Sequence, residues 1–292
     1  MRLFSEDKGL AITAMLVSSL FYLLGDTVVK IATETMPVPQ IIALRGLMTS
    51  ALVLAAAVVA GVLRYWRLVL TPRVLLRGAT DGAGTLFFTN ALFHMRIADA
   101  TAVINAAPIA ATVLAILLLK ERVSAARWIA SIAGFLGVLL VLRPEPGGAN
   151  FYGLLAVGAM IMVAIREVAT HAISRNVPSL LITLCSTLVV ASVGGAASLI
   201  DGSWVALGLF ELGILALASI FLFGAYHLSV IALRHGEVSL VGPFRYAIIL
   251  WSLLMGFVIW GDVPRPIVLA GMVLITISGI VVLRSEYRRK RA

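Results

Sequence analysis

The stretch Arg96-Ile97-Ala98-Asp99-Ala100-Thr101 recurs 138 residues later as Arg234-His235-Gly236-Glu237-Val238-Ser239, with cation, acid and hydroxyl in the same order. In each copy the acid falls in the first turn of the apolar segment that follows, where a helix dipole favours negative charge. Each of these segments then carries a proline, Pro108 in one and Pro243 in the other. The chain therefore contains two related segments, and their placement determines the fold.

The repetition extends beyond this turn. Gly137–Arg143 matches Ser278–Arg284 at an offset of 141 residues, and a weaker match near offset 145 pairs Lys30 with Arg175. We predict two related units on this basis, residues 1–146 and residues 147–292.

Composition places these units in a bilayer. Hydrophobic residues make up 61% of the 292-residue chain, only 13% are charged, and the mean hydropathy is +1.06. A soluble domain of this size would lack the polar surface to cover itself, whereas a membrane-spanning helix needs about 20 apolar residues. Breaks at proline and glycine clusters predict ten spanning helices, at 9–31, 38–62, 74–94, 98–119, 124–142, 151–174, 178–200, 206–231, 237–260 and 265–284.

The basic residues give the orientation. The helix ends that fall on one side of the membrane carry 16 of the 23 Lys and Arg residues, and those on the other side carry 4. Positive charge stays on the cytoplasmic side, so both termini are expected there, in the inner membrane. Five is an odd number of helices, so the two units are inverted. We predict an all-α membrane protein in which ten transmembrane helices form two inverted five-helix repeats around a central cavity.

Several other classes of protein fit poorly. The net charge of +9 is explained by retention at the inner leaflet, so no nucleic acid partner is expected. The single cysteine, Cys185, excludes a cysteine-based metal cluster, and we expect no metal and no cofactor. The pattern His94-x4-Asp99 resembles an acyltransferase motif but lies in a short turn, and no phosphate-binding loop appears. The apolar run from Gly9 is too long for a cleavable signal peptide.

Specific stretches resemble the drug/metabolite transporter superfamily of the EamA type. They are Pro108 with Glu121 thirteen residues later, the run Arg127–Pro144, and Ala43-Leu-Arg-Gly46 at the start of predicted helix 2. In the second half, Asp262 and the polar Pro243–Tyr246 depart from the family pattern. The resemblance implies that helices 1, 3, 4, 6, 8 and 9 surround a cavity, with helices 5 and 10 peripheral. It implies transport of amino acids, including aromatic ones, of S-adenosylmethionine, or of sugar nucleotides.

Ionisable side chains inside the predicted spans are candidates for function or for buried pairs. Three acids balance three cations, which suits mutual pairing, a zwitterionic ligand, or both. The six residues are Asp26, Asp81, Glu167, Arg45, Arg166 and Arg245.

Helix 1 presents Tyr22, Asp26 and Lys30 on one face, because they are spaced by four. Asp26 is expected either to bind a ligand ammonium or to pair with Lys30 near the outer end. Arg166 is expected to line the cavity or a gate, or to pair with Asp81 or Glu167. Arg45 is expected to be structural.

Arg245 and Tyr246 follow Pro243, which frees a backbone carbonyl and bends the helix. They are the favoured ligand contacts, with Arg245 gripping a carboxylate; the alternative is a helix-end anchor. Tyr226 is expected to line a cavity or to pack in the core, and Asn90 and Asn105 to bind ligand or to join helices.

These observations predict a secondary transporter that exports small metabolites, most of all amino acids including aromatic ones, by alternating access. The alternative is uptake or exchange of a larger adenosyl or nucleotide-linked metabolite, and a membrane-embedded enzyme is a more distant one. The expected partners are a small-molecule substrate and the lipid bilayer. Small residues on helix 5 (Ala126, Ala130, Gly134) suit close packing or a dimer face, so the protein is expected to be a monomer or a weak dimer.

Overall fold

A computed structural model describes most of the chain. Its backbone covers residues 2–119, 125–142, 151–171, 173–174, 176–202, 204–235 and 242–291. The side chains of 2–8, 112, 115–119, 126–127, 167, 171, 230, 233–235, 242–243 and 282–291 lie outside the description. Within these ranges every regular element is helical. The α-helices are α1 Arg2–Ala32, α2 Val38–Val59, α3 Pro72–His94, α4 Ile97–Ile104, α5 Ala107–Leu119, α6 Ala125–Leu142, α7 Phe151–His171, α8 Ser179–Asp201, α9 Leu209–His235, α10 Ala247–Trp260 and α11 Pro266–Arg291.

Predicted helix 4 is not continuous. Proline has no N–H, so Pro108 cannot bond to the carbonyl of Ile104, and its ring crowds that carbonyl. The chain therefore ends α4 at Ile104 and begins α5 at Ala107. The helix predicted over 98–119 is thus interrupted at Asn105 and Ala106.

Two 3-10 helices accompany the α-helices. One covers Gly242–Tyr246 immediately before α10, and the predicted start of helix 9 at residue 237 lies outside the described residues. The other covers Val62–Leu70, where the sequence predicts a helix end and a loop. Gly61 precedes it with a φ of +65°, in the left-handed region that glycine adopts without steric cost.

Among the residues that the structure describes, five helices are long and apolar enough to cross a bilayer: Gly9–Ala32, Val38–Val59, Phe151–Thr170, Ser179–Asp201 and Leu209–Ser229. Four shorter apolar helices correspond to predicted helices 4, 5, 9 and 10. Helix α3 meets neither description, because Arg77, Asp81 and Asn90 make it more polar than its neighbours. The protein is thus an all-helical, multi-pass membrane protein, and the count of ten spans stays a prediction.

Helix packing divides the chain into two compact units. The first unit contains Met1–Leu24, Met95–Leu154 and Gly224–Ala292. Its most extensive contact joins α6 to α11, where a Cβ added at Gly137 would lie 2.8 Å from the carbonyl oxygen of Gly271. Glycine at both positions lets the two backbones approach closely. Gly134, one of the small residues of predicted helix 5, faces Ile109 and Ser278 in the same unit. It therefore packs inside the unit.

The second unit contains Gly25–His94 and Leu155–Phe223. Here α8 packs along α2 and α3. A Cβ at Gly194 would lie 2.5 Å from the amide nitrogen of Ala43, and one at Gly46 would lie 2.8 Å from that of Ala191. These units are defined by packing, whereas the halves 1–146 and 147–292 are defined by sequence repetition and stay a prediction.

Candidate functional site

The carboxylate of Asp81 is the centre of a charged cluster in the second unit. Its side chain is 8% exposed on α3. Arg166, on α7, donates from Nη1 to Asp81 Oδ1 at 2.7 Å. Arg77, one turn before Asp81, places Nη1 3.3 Å from Oδ2. Of the alternatives that the sequence leaves open for Arg166, the structure shows the pair with Asp81; the side chain of Glu167 lies outside the described residues.

Arg77 connects three helices at this centre. Its Nε donates to Thr170 Oγ1 of α7 at 3.1 Å, and its Nη1 donates to Ser186 Oγ of α8. The sequence interpretation counts Arg77 among the basic residues of a cytoplasmic helix end, and so misses it. The signal that could have found it is the spacing of four between Arg77 and Asp81, which puts both on one helix face.

Asp26 and Arg45 form a second pair in the same unit. Asp26 Oδ1 lies 3.9 Å from Arg45 Nη1, and both side chains are largely buried. Lys30 instead donates to the carbonyl oxygen of Leu92 at 2.8 Å. Leu92 lies in the last turn of α3, where carbonyls lack helical partners and attract cations. The predicted Asp26–Lys30 pair is therefore wrong, while Arg45 has the kind of pairing expected of a structural residue.

The first unit holds the tyrosines of the predicted site. Tyr22 of α1 and Tyr226 of α9 meet edge to face, with ring centroids 5.7 Å apart and planes at 74°. This is a favoured geometry for aromatic pairs. Near it, Ser18 Oγ donates to the carbonyl of Ala225 at 2.8 Å, so α1 and α9 contact directly.

Arg245 and Tyr246 end the 3-10 helix before α10. Tyr246 is 3% exposed, and its hydroxyl occupies the space that a side chain at position 279 would need, opposite Gly279 of α11. Arg245 is half-buried. This placement packs Tyr246 inside the unit; contact of either residue with a solute stays a prediction.

The two asparagines bond within their own helices. Asn90 Nδ2 donates to the carbonyl of Leu86, and Asn105 Nδ2 to that of Thr101, each at 2.8 Å. These bonds join no helices to each other. A role in ligand binding would use the amide oxygens and stays a prediction.

The candidate acyltransferase pair has other partners. His94 Nδ1 lies 3.1 Å from the carbonyl of Asn90, and Arg96 donates from Nε to Asp99 Oδ2 at 2.8 Å. Each residue is thus engaged in its own helix end.

Comparison with known proteins agrees with this architecture. Residues 9–143 match the model of the EamA-like transporter family. The first half of the chain is thus similar to EamA-like transporters. This match and the names of the relatives indicate a transporter rather than an enzyme.

Three relatives show the range of proteins that this chain is similar to. A riboflavin transporter of Rhizobium johnstonii is 26% identical over 75% of this chain and 72% of its own length. An S-adenosylmethionine uptake transporter of Rickettsia bellii is 26% identical over 73% of this chain and 72% of its own. The pseudopaline exporter CntI of Pseudomonas aeruginosa is 25% identical over 96% and 97%. A solved crystal structure that is 20% identical shares the fold, with a TM-score of 0.64 over 96% of this chain and 99% of that one.

The charges described above lie in helices that the sequence predicts to span a bilayer. Charged side chains inside a bilayer are costly unless they are paired or face water, and they tend to mark solute pathways. The Asp81 cluster and the Asp26–Arg45 pair are therefore two places, among the described residues of the second unit, where recognition of a solute can be sought.

Proposed function

We propose that the protein is a secondary transporter that exports small metabolites, most of all amino acids including aromatic ones, by alternating access. The observation that carries this proposal is the pairing of acids with arginines inside helices that are predicted to span the bilayer. A zwitterionic solute carries one ammonium and one carboxylate. The ammonium can pair with an aspartate of the protein, and the carboxylate can pair with an arginine. The tyrosine pair Tyr22 and Tyr226 supports an aromatic solute.

Alternating access by two inverted halves is supported by helix contacts in each unit. In the second unit Gly46 faces Ala191, 145 residues away, at the offset of the weaker sequence match. In the first unit Gly134 faces Ser278 and Gly137 faces Ile275. Residues 134 and 275 are 141 positions apart, and so are residues 137 and 278, so each pair occupies equivalent positions in the two repeats. A two-fold axis that relates the repeats converts the contact between 134 and 278 into the contact between 275 and 137, as observed. Matching faces of residues 1–146 and 147–292 therefore support inverted repeats.

The charge bias supports the orientation of the protein, and one relative supports export. Both termini are proposed to lie on the cytoplasmic side of the inner membrane, since basic residues concentrate at that set of helix ends. The relative with the longest shared length among those described is named as an exporter.

Uptake or exchange of a larger adenosyl or nucleotide-linked metabolite is the second candidate. It is favoured by the name of the Rickettsia bellii relative, an S-adenosylmethionine uptake transporter. Two relatives of nearly equal identity are thus named for opposite directions, so the solute must be tested directly.

The test is counterflow in liposomes containing the purified protein. Vesicles preloaded with unlabelled phenylalanine, alanine or S-adenosylmethionine are diluted into the same labelled compound, and the trapped label is measured. We expect accumulation of phenylalanine above that of alanine and of protein-free vesicles. Accumulation of S-adenosylmethionine alone would establish the second candidate, and no accumulation of either amino acid would refute the first.

A further inference from the structure

We propose that the 3-10 helix Val62–Leu70 lies in the membrane interface and binds the headgroups of anionic phospholipids through Arg64 and Arg67. This helix joins α2, which ends at Val59, to α3, which begins at Pro72. Its nine residues rise about 18 Å, at about 2.0 Å per residue, which is too short for a hydrocarbon core of about 30 Å. A short helix between two predicted spans is therefore placed at the membrane surface.

One face of the Val62–Leu70 helix is held by the second unit. Its residues Leu68 and Val69 pack against a buried cluster that joins the start of α3, the connection before α8, and α8 itself. The members of that cluster are Val74, Val177 and Cys185. All of these residues belong to the second unit, so the packing fixes which side of the helix faces outward.

The outward side combines cations with aromatic rings. Arg64, Tyr65, Trp66 and Arg67 are consecutive, and all four are exposed. The Cζ atom of Arg64 lies 4.8 Å from the centroid of the Tyr65 ring, and that of Arg67 lies 5.9 Å from the Trp66 ring. These distances allow a cation–π contact. Because Tyr and Trp settle at the level of the lipid headgroups, the rings hold both guanidinium groups at the depth of the lipid phosphates.

No acidic residue near this helix in the sequence compensates its charge. The chain has no Asp or Glu between Glu34 and Asp81. Within the part of the chain that the structure describes, neither Arg64 nor Arg67 forms an ion pair with a carboxylate. A guanidinium that stacks on a ring keeps N–H donors in its own plane, in a fork that matches two phosphate oxygens. Charge complementarity therefore favours an anionic headgroup over a zwitterionic one, whose ammonium the arginines would repel.

The experiment measures lipid binding to the purified full-length protein by thermal stability in detergent, because a bound ligand raises the apparent melting temperature. The probes are anionic dioctanoyl phosphatidylglycerol, zwitterionic dioctanoyl phosphatidylcholine, and glycerol 3-phosphate, which is anionic but has no acyl chains. We expect phosphatidylglycerol to stabilise the wild-type protein more than phosphatidylcholine does, and glycerol 3-phosphate to have no effect. Salt at about 0.5 M should weaken this preference, since exposed charges are screened.

Arg64→Gln and Arg67→Gln should each raise the apparent Kd for phosphatidylglycerol about fivefold, which corresponds to about 1 kcal/mol per cation at a membrane surface. The double Gln variant should raise it about 25-fold and remove the preference over phosphatidylcholine, since the two charges act independently. The double Lys variant keeps both charges but not the fork, and it should give an intermediate Kd. It remains measurable if the double Gln variant does not fold.

Two further variants separate charge at this helix from other effects. Trp66→Ala should weaken the binding of both phospholipids by the same factor, because an indole anchors to the interface whatever the charge of the headgroup. The matched control combines Arg127→Gln with Arg175→Gln, which removes two cations from other predicted cytoplasmic helix ends. This control should leave the Kd for phosphatidylglycerol unchanged.

A rise in Kd that is confined to the Arg64 and Arg67 variants would support the lipid site. Equal stabilisation of the wild-type protein by the two phospholipids would overturn it. An equal rise in the control variant would also overturn it, since net charge would then explain the binding. Stabilisation by glycerol 3-phosphate would show that a soluble phosphate, and not a lipid, is the ligand. The site is independent of the transported solute, so the result of the counterflow experiment does not affect it.

Discussion

Gln40 holds the backbone of Val205 at two points. Its Nε2 donates to the carbonyl of Val205 at 2.7 Å, and its Oε1 accepts from the amide of Val205 at 3.0 Å. The side chain of Gln40 is fully buried in the first turn of α2, and Val205 lies in the connection between α8 and α9. The side-chain amide of Gln40 thus supplies the hydrogen bonds that the backbone of Val205 would otherwise make within a helix or a sheet.

Gln40→Leu should lower the stability of the protein. Leucine fills a similar volume but leaves the amide and carbonyl of Val205 without their partner, at a cost of about 1–3 kcal/mol. The measurement is thermal unfolding in detergent, where a fall of several degrees is expected. Ser192→Ala is the control, since Ser192 is exposed and bonds only to Leu188 of its own helix. Equal melting temperatures for Gln40→Leu and wild type would show that water replaces this contact.

Two adjacent glycines of α8 should respond in opposite directions to alanine. A Cβ at Gly194 would meet the amide nitrogen of Ala43 at 2.5 Å, whereas one at Gly195 would meet nothing within 4 Å. Gly194→Ala must push α2 and α8 apart and should reduce stability. Gly195→Ala should leave stability unchanged or raise it by up to about 1 kcal/mol through helix propensity. Thermal unfolding of the pair measures the difference, and equal loss from both substitutions would contradict the close α2–α8 contact.

The sequence predicts the helical elements of this fold better than their interruptions. Runs of apolar residues locate most helix ends within a few positions, because the bilayer requires long uncharged segments. The break at Pro108 depends on one missing N–H, which is present in the sequence but tolerated in many membrane helices. The 3-10 helix at Val62–Leu70 lacks the long apolar run of a spanning helix, so the sequence predicts a loop there.

The site is less accessible to sequence reasoning. The sequence marks Asp81 and Arg166 as charges inside predicted spans, but their pairing depends on the packing of α3 against α7. The sequence places Arg77 at a helix end, where cations near a membrane interface are common. Only the structure shows that its side chain turns inward to Ser186 and Asp81.

Removal of both charges of the Asp26–Arg45 pair should harm the protein less than removal of one. Asp26→Asn leaves a buried guanidinium without its carboxylate, and Arg45→Gln leaves a buried carboxylate, each at a cost of about 3–5 kcal/mol if fully desolvated. Both side chains keep some exposure, 24% for Asp26 and 12% for Arg45, so we expect losses below this range. The double variant should regain part of the loss, which a double-mutant cycle of unfolding midpoints will measure. Additive losses would indicate that the two groups do not interact.

The proposed orientation can be tested by labelling introduced cysteines. The native Cys185 is buried, so it should react little in intact cells and need not be replaced. Val263→Cys, at an exposed site before α11, should react with a membrane-impermeant maleimide added outside the inner membrane. Thr71→Cys, at an exposed site before α3, should react only after permeabilisation. The wild-type protein is the control, and the reverse pattern would place the termini outside.

Arg245→Ala should lower transport while the protein still reaches the membrane. If the half-buried guanidinium binds the solute, its loss removes a charge-assisted hydrogen bond, and kcat/KM for phenylalanine should fall roughly tenfold or more. Arg265→Ala is the control, because Arg265 is an exposed cation at a helix end. Flux is measured in liposomes with equal amounts of incorporated protein.

The same variant shows whether Arg245 meets the carboxylate. If Arg245 contacts another part of the solute, Arg245→Ala should lower the flux of phenylalanine and phenylalaninamide by the same factor, since both compounds lose the same contact. If Arg245 grips the carboxylate instead, only phenylalanine should be affected, and the preference for it over the amide should disappear. Flux at the wild-type level for both compounds would remove Arg245 from the site and leave it as an anchor at the start of α10.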